Sequence, residues 1–170
     1  MLEREPANLG SYSRFPSGNW TGYFLQSHLP GRHSTNLVMT CFNGQLSGKG
    51  ADWVGPYTIE GEYDVNTGKC DWIKRYLGKH SVAYQGVNDG SGIWGVWEIS
   101  QLGGLYIDRG GFHIWPEGMD VSAESERIEE AVVEAMHNQH VARLPQVMMG
   151  FILTLLVFAI IFALIWRENF

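Results

Sequence analysis

Between Trp20 and Trp115, short apolar runs alternate with turn-forming residues, a pattern typical of consecutive β-strands. Period two is clearest between Gly55 and Asp64, where apolar and polar positions alternate along the chain. The seventh strand is apolar on both faces, which indicates that another part of the protein covers its outer face. The pattern predicts about eight strands, at Trp20–Gln26, Leu37–Phe42, Gln45–Ala51, Gly55–Asp64, Cys70–Tyr76, Ser81–Val87, Ile93–Ile99 and Gly111–Trp115.

Turn signals between these runs indicate tight reversals of the chain. Asn43-Gly44 tolerates the positive φ of a two-residue hairpin, and residues 64–68, 78–80 and 88–92 mark further turns. Consecutive hairpins form an antiparallel meander, which loses its free edges when it closes on itself. We therefore predict a mainly β domain that closes into a small barrel, with a sandwich as the alternative.

The pattern changes to a helical one after the last strand. In an acidic stretch that Ser122 can cap and Pro145 ends, apolar residues recur every three or four positions. The spacing predicts an amphipathic helix over residues 118–144, which we expect to lie on a membrane surface or to pack on a partner. Its apolar face is formed by Ile128, Val132, Ala135 and Met136.

An uncharged apolar segment, QVMMGFILTLLVFAIIFALIW, extends from Gln146 to Trp166. At a helical rise of about 1.5 Å per residue it reaches roughly 30 Å, the thickness of a hydrocarbon core. All of its faces are apolar, so a helix buried in a protein core is disfavoured. It predicts one transmembrane helix within residues 145–170, with Trp166 at the interface.

Four segments follow from these patterns: an extended arm at residues 1–18, a β-domain at 19–117, the acidic helix at 118–144 and the span with a short tail at 145–170. The N-terminus lacks the basic start and apolar run of a secretory signal. We therefore expect the β-domain on the cytoplasmic side of a bacterial inner or photosynthetic membrane. Cys41 and Cys70 are then expected to be reduced packing residues.

Composition and motifs narrow the function. The net charge of −6, with no basic cluster comparable to a nucleic-acid footprint, disfavours nucleic-acid binding. The most basic run, from Lys74 to His80, is interpreted as a solvated hairpin tip rather than as a contact for lipid phosphate or an acidic partner. The sequence has no nucleophile elbow, phosphate loop or dinucleotide fingerprint, and its six histidines lack the spacing of metal ligands. We therefore predict a non-enzymatic protein without a metal or a cofactor.

Candidate docking residues lie in two regions. Large aromatic side chains cluster near the end of the β-region, and small residues spaced by four in the predicted span let another helix approach closely. These features indicate contact with other membrane protein subunits. The candidates are Trp94, Trp97, Phe112 and Trp115 in the β-region and Gly150, Thr154, Ala159, Ala163 and Trp166 in the span.

Trp- and Gly-containing motifs recur through the β-region: Asn19-Trp-Thr-Gly-Tyr23, Leu46-Ser-Gly-Lys-Gly50, Gly61-Glu-Tyr-Asp64, Tyr84-Gln-Gly86 and Ile93-Trp-Gly95. Over residues 19–115 this rhythm resembles avidin-type and lipocalin-type up-and-down barrels, and uncharacterised bacterial domains of the same Trp/Gly style. The resemblance implies an architecture and transfers no ligand-binding residue.

The last forty or so residues resemble the tails of bacterial light-harvesting β polypeptides. Those have an acidic amphipathic helix with histidine, one span and an aromatic-basic exit. Here His137 and His140 lie in the acidic helix, and Trp166-Arg167 forms the exit. The pigment-ligating histidine of that family would fall near Ile160 and is missing. The resemblance implies a non-pigmented accessory subunit of a reaction-centre–antenna complex or of a comparable respiratory assembly.

Two functions follow from these features. The leading hypothesis is a non-catalytic, membrane-anchored accessory subunit that docks on and stabilises a larger membrane protein complex. The alternative is a membrane-tethered barrel that binds a small apolar ligand, since eight-stranded barrels can hold one small molecule. Its interior would be lined by Tyr57, Tyr63, Trp72 and Trp97.

Overall fold

The computed structural model describes residues 14–101 and 106–138 of the chain. Eight antiparallel strands pair in chain order, and β8 pairs with β1, so the sheet is a closed barrel. This confirms the predicted barrel over the sandwich. The strands are β1 Gly18–Gln26, β2 His33–Phe42, β3 Gln45–Asp52, β4 Gly55–Tyr63, β5 Lys69–Tyr76, β6 Ser81–Asn88, β7 Ile93–Gln101 and β8 Tyr106–Pro116.

The bounds of the predicted strands agree with the observed ones to within two residues except at two beginnings. β8 starts at Tyr106 rather than Gly111, because Asp108 and Arg109 continue the ladder with β7. β2 starts at His33 rather than Leu37, since its polar first residues pair with β1. The hairpin at Asn43-Gly44 has φ values of 49° and 78°, as the turn prediction requires.

One end of the barrel, the closed end, carries the β2–β3, β4–β5 and β6–β7 turns. Residues 14–17 cover it. Phe15 is 2% exposed and packs against Tyr63, with ring centroids 4.5 Å apart. The Trp20 indole donates to the Pro16 carbonyl over 3.0 Å. The part of the predicted arm that the structure describes therefore closes the barrel.

Just inside the closed end the barrel is filled by side chains. The inward positions of neighbouring strands meet there and are buried, and a space of about 20 Å³ lies among the side chains further along the barrel. The most deeply buried side chains of this packed half are Trp20, Met39, Leu46, Ile93 and Phe112.

A helix begins at residue 125 and is described as far as residue 138. It starts later than predicted, because residues 122–124 form a turn in which the Ser122 hydroxyl donates to Asp120 instead of capping the helix. Ile128 and Val132 are fully buried, which confirms the predicted apolar face. We name this helix α1.

The barrel of the same chain is the surface on which α1 packs. Gly111 lies beneath α1 on the outer face of β8, where an added Cβ would meet the side chains of Val132 and Met136. α1 therefore packs on the outer face of β8, beside the seventh strand, for whose apolar outer face a cover was predicted.

No helix among residues 14–101 and 106–138 has the length and apolar character that crossing a membrane requires. The predicted span at residues 146–166 lies outside the part of the chain that the structure describes.

Candidate functional site

The opposite end of the barrel, the open end, carries the β1–β2 loop at residues 27–32 and the turns at residues 53–54 and 77–80. Between these connections the interior widens into a cavity of about 510 Å³, which we call the cup. Its walls are the inward positions of strands β1, β5, β6, β7 and β8 near that end. The cup is lined by Phe24, Gln26, His28, Trp53, Val54, Tyr76, Lys79, His80, Val82, Tyr84, Trp97, Ile99 and Asp108.

Aromatic rings form most of the wall of the cup. The Trp97 indole donates to the carbonyls of Leu25 at 3.0 Å and Gly111 at 3.1 Å, which leaves the flat faces of its ring for apolar contacts. Phe24 meets Trp97 edge-on at 6.4 Å, and Tyr84 stacks on Trp72 at 5.1 Å. These contacts hold the rings in place, so the wall is preformed and largely apolar.

A buried ion pair forms a polar floor between the cup and the packed half. Lys74 Nζ lies 2.6 Å from Asp52 Oδ2, and the two side chains are 4% and 0% exposed. The Tyr76 hydroxyl donates to the same carboxylate oxygen over 2.7 Å, and the Val54 amide donates to the other over 2.9 Å. The Asp52 carboxylate therefore has a partner on each oxygen, as a buried charge requires.

Tyrosine and phenylalanine rings surround the Lys74 ammonium. Its Nζ lies 3.8 Å from the Tyr57 ring centroid and 4.8 Å from that of Tyr76, with Phe24 and Tyr84 within 5.8 Å. Cation–π attraction adds to the ion pair in this desolvated site. Burial nevertheless lowers the pKa of Lys74, and the bond to Asp52 opposes that shift. Burial also raises the pKa of Tyr57 to about 12, so its hydroxyl stays protonated and bonds with Thr35 at 2.6 Å.

A second polar group lies on the wall of the cup. Asp108 is 7% exposed; its carboxylate accepts from Gln26 Nε2 over 3.3 Å and lies 3.4 Å from His28 Nδ1. The amide oxygen of Gln26 and Nε2 of His33 are buried without a hydrogen-bond partner among the described residues. The His33 ring packs on Phe24 and Trp53, two lining residues. Buried polar atoms normally have partners, so this side of the cup is suited to a polar group of a bound molecule.

The rim of the cup is tied together by its own turns. The Lys79 ammonium donates to the Val54 carbonyl, and the Leu77 amide donates to the Pro56 carbonyl over 3.2 Å. His80 packs on Tyr76 with ring centroids 5.1 Å apart. The turns at residues 53–54 and 77–80 therefore form one side of a defined opening.

The predicted docking aromatics are divided between two places. Trp97 and Phe112 are 3% and 1% exposed inside the barrel, so they fill the core and the cup wall rather than an outer surface. Trp94 and Trp115 are half-buried on the outer face, where Trp94 donates to Asp89 over 3.1 Å and Trp115 packs on His113. The other five candidates, Gly150, Thr154, Ala159, Ala163 and Trp166, lie outside the described residues.

The residues proposed for a ligand-binding interior are also divided. Trp97 lines the cup, whereas Tyr57 and Trp72 border the 20 Å³ space beside the floor. Tyr63 packs on Phe15 at the closed end. The cup residues Gln26 and Asp108 and the floor pair were not predicted from the sequence. The burial of Lys74 could have been predicted, because side chains alternate along a strand and Lys74 lies on the same face of β5 as Trp72 and Tyr76, which point inward.

Thiol and metal chemistry find little basis in the described part of the chain. No three His, Cys, Asp or Glu side chains come together there as a metal site. Cys41 and Cys70 are unpaired, and burial raises their pKa values to about 11 and about 12. Both thiols therefore remain protonated at neutral pH and behave as packing groups.

Comparison of the chain with protein-family models, with curated proteins and with solved structures finds no match. Arguments about function therefore rest on the geometry of the cup and of the surfaces around it.

Proposed function

We propose that this chain is a non-catalytic, membrane-anchored barrel that binds one small, largely apolar ligand in the cup. The observation that carries the proposal is the contrast inside one barrel. Beside the polar floor lies a space of only about 20 Å³, whereas at the open end a cavity of about 510 Å³ opens between aromatic walls. A folded interior is normally close-packed, so a preformed cavity of ligand size on one side alone favours binding.

The lining chemistry defines the ligand class. Phe24, Tyr84 and Trp97 favour a flat or hydrocarbon body, and a volume of about 510 Å³ admits one molecule of modest size. The unpartnered Gln26 oxygen and the Asp108 carboxylate favour a hydrogen-bond donor at one end of that molecule.

The experiment is native mass spectrometry of the full chain extracted in detergent from its own membranes. We expect one bound molecule per chain, identified after organic extraction. Val82→Phe fills the cup and should abolish that adduct, whereas the same change at the exposed Val65 of the closed end should leave it intact. A chain without any bound small molecule, or an adduct that survives Val82→Phe, would contradict the proposal.

A second function, the accessory subunit, is favoured by the outer wall. A groove of about 660 Å³ crosses the outer face of β1–β4, and its apolar side chains include the exposed Val38 and Leu77. Among the described residues α1 packs on β8 and leaves this face uncovered, which supports a membrane protein subunit as its occupant. A reaction-centre–antenna complex is the candidate that the tail suggests.

Co-purification tests this second proposal. After mild detergent extraction from native membranes, we expect the chain to elute with other membrane subunits, and absorbance shows whether pigments accompany them. Val38→Glu should release the chain from that assembly without loss of the cup ligand. Elution of the unsubstituted chain as a lone monomer would contradict the accessory role while leaving ligand binding intact.

A further inference from the structure

The direction of α1 relates the open end of the barrel to the membrane anchor. Glu124, just before α1, accepts a hydrogen bond from Ser91, and Arg127 in the first turn of α1 lies 3.3 Å from Asp89. Ser91 and Asp89 both lie in the β6–β7 turn of the closed end. Further along, Glu129 pairs with Arg32 in the β1–β2 loop of the open end. The helix therefore runs from the closed end towards the open end, antiparallel to β8.

Few residues connect the described end of α1 to the predicted span. Residue 138 and Gln146 are eight residue steps apart in the numbering, with seven residues between them. At about 3.5 Å per residue these steps reach at most about 28 Å when fully extended, and about 12 Å as a helix. If residues 146–166 cross the bilayer, as their sequence predicts, the open end lies near its surface.

The loops of the open end have the composition of a membrane-contacting surface. We call residues 27–32, 53–54 and 77–80 the rim loops. Leu29, Trp53 and Leu77 are 39%, 64% and 69% exposed on them. The rim loops contain Arg32 and Lys79 but no aspartate or glutamate. Arg32 pairs with Glu129, so Lys79 contributes most of the positive charge.

The closed end differs in charge and not in apolarity. Phe42 and Val65 are also exposed there, at 71% and 52%. However, the connections at residues 64–68, 89–92 and 117–120 carry four acidic residues, Asp64, Asp89, Glu117 and Asp120, which outnumber the cations beside them, Arg14 and Lys69. Anionic headgroups attract cations and repel carboxylates, so an anionic bilayer favours the rim loops over the closed end.

We propose that the rim loops are the surface that rests on the bilayer, with Trp53, Leu77 and Leu29 entering the headgroup region of an anionic membrane. Tryptophan and leucine beside lysine are typical of such interfacial contacts. The mouth of the cup then opens onto lipid. As a consequence that rests on the proposed function, the cup ligand is an amphiphile that enters from the bilayer rather than from water.

A depth measurement on the full chain in vesicles tests the surface. Leu77→Cys and Phe42→Cys place a label at two sites of nearly equal exposure at opposite ends of the barrel. The chain is reconstituted in phosphatidylcholine with phosphatidylglycerol, and an environment-sensitive fluorophore is quenched by lipids spin-labelled at the headgroup. The unsubstituted chain gives the background from Cys41 and Cys70, which is expected to be small because Cys70 is buried, Cys41 is half-buried and both thiols are protonated.

We expect blue-shifted, strongly quenched emission from residue 77 and unshifted, unquenched emission from residue 42. Quenching at residue 42 that equals or exceeds that at residue 77 overturns the proposal, and so does the absence of quenching at residue 77. Lys79→Glu should weaken quenching at residue 77 in the mixed vesicles, whereas the matched Lys69→Glu of the closed end should not. Equal effects of the two substitutions overturn the role of charge.

Ligand occupancy separates this proposal from the proposed function. Native mass spectrometry of Leu77→Cys in detergent reports whether the cup is filled, independently of any vesicle. A filled cup without quenching at residue 77 removes the membrane-facing surface and leaves ligand binding. Quenching at residue 77 with an empty cup supports the surface and removes the entry of a ligand from lipid.

Discussion

The two ends of the barrel are built from the same eight strands with the same alternation, yet one is filled and the other is hollow. At the closed end Phe15, from outside the sheet, lies over the packed side chains of the strands. At the open end the turns at residues 53–54 and 77–80 are tied to each other, and the interior stays accessible. Strand pattern therefore determines the barrel, whereas the segments at its ends determine whether the inside is core or cup.

The polar floor marks the boundary between these two halves. A lysine and an aspartate in the middle of a barrel cost desolvation energy that apolar residues would not. Here the ion pair, the Tyr76 hydroxyl and the surrounding rings satisfy both charges. The floor therefore separates a region held by packing from a region shaped for a ligand.

Removal of the covering side chain should have the largest effect. We expect Phe15→Ala to lower the free energy of unfolding by about 4 kcal/mol, because it leaves a cavity over the packed half. Urea unfolding monitored by tryptophan fluorescence measures this change. Phe42→Ala, which removes an exposed ring at the same end, is the control and should cost less than about 0.5 kcal/mol. Equal losses for the two variants would show that Phe15 does not close the barrel.

Breaking the floor should rank second. We expect Asp52→Asn to cost about 3 kcal/mol at neutral pH, because Lys74 is left as a buried charge without its counter-ion. In the folded chain the pKa of Lys74 already lies below its ordinary value of 10.5 because the side chain is buried. At a pH between these two pKa values the unfolded chain therefore binds more protons than the folded chain, and stability rises with pH. The variant should therefore regain stability on going from neutral to alkaline pH.

A double variant controls for the loss of shape at the floor. Asp52→Asn combined with Lys74→Met replaces the pair by neutral groups of similar size and should recover most of the loss. Chemical unfolding at several pH values compares the single and double variants. A double variant as unstable as Asp52→Asn would mean that the charge of Lys74 is not the cause.

Added volume should distinguish the two halves directly. Leu46→Phe at the closed end should cost about 2 kcal/mol, because extra atoms in a packed core force strain. Val82→Phe, on the wall of the cup, should cost less than about 0.5 kcal/mol, since the new ring has open space to enter. Thermal unfolding of both variants measures the difference. A larger loss for Val82→Phe than for Leu46→Phe would contradict an open cup.

The smallest effect on stability is expected from mild acid, which acts on His113 on the outer face of β8. His113 is 1% exposed beside Tyr23 and Trp115, and its Nε2 lies 2.7 Å from the Ser91 carbonyl. Burial is the main cause of its lowered pKa, which Arg32 and Arg127 lower further, while Ser91 and Asp89 oppose the shift. Just below the ordinary value of 6.5 the unfolded chain therefore binds more protons, and stability should fall as pH decreases through that window.

His113→Gln provides the comparison for this pH dependence. Without the imidazole, the loss of stability just below pH 6.5 should disappear, which urea midpoints across that range would report. An unchanged slope would assign the effect to another group. Asp89 has a lowered pKa and titrates only below its ordinary value of 3.8, so it does not contribute in the same window.

Much of the fold could be predicted from the sequence because backbone chemistry and alternation are local. The Asn43-Gly44 turn and the period-two runs identified the hairpins, and closure follows from the cost of free strand edges. The late start predicted for β8 has a local cause as well. Asp108-Arg109-Gly110 has the composition of a turn, and only the pairing with β7 makes it a strand.

The candidate site was harder to predict because it depends on which charged residues point inward. In the basic run from Lys74 to His80, the sequence alone favours a solvated hairpin tip. The structure buries Lys74 in the floor and places Lys79 and His80 on the rim. Asp52 and Asp108 likewise lie inside rather than on a solvated face. Their partners are distant in sequence, so no local pattern brings them together.

The pairing of β1 with β8 has a consequence for how the protein is made. Trp20 lies opposite Pro116 in the ladder that closes the barrel. During synthesis β1 can therefore pair along this edge only after β8, the last strand of the barrel, has been made. Until residue 116 has left the ribosome, β1 keeps an unpaired edge that can pair with other chains. Contacts so distant in sequence also form slowly. A nascent chain stalled between the two strands is therefore the form of this protein most in need of a chaperone.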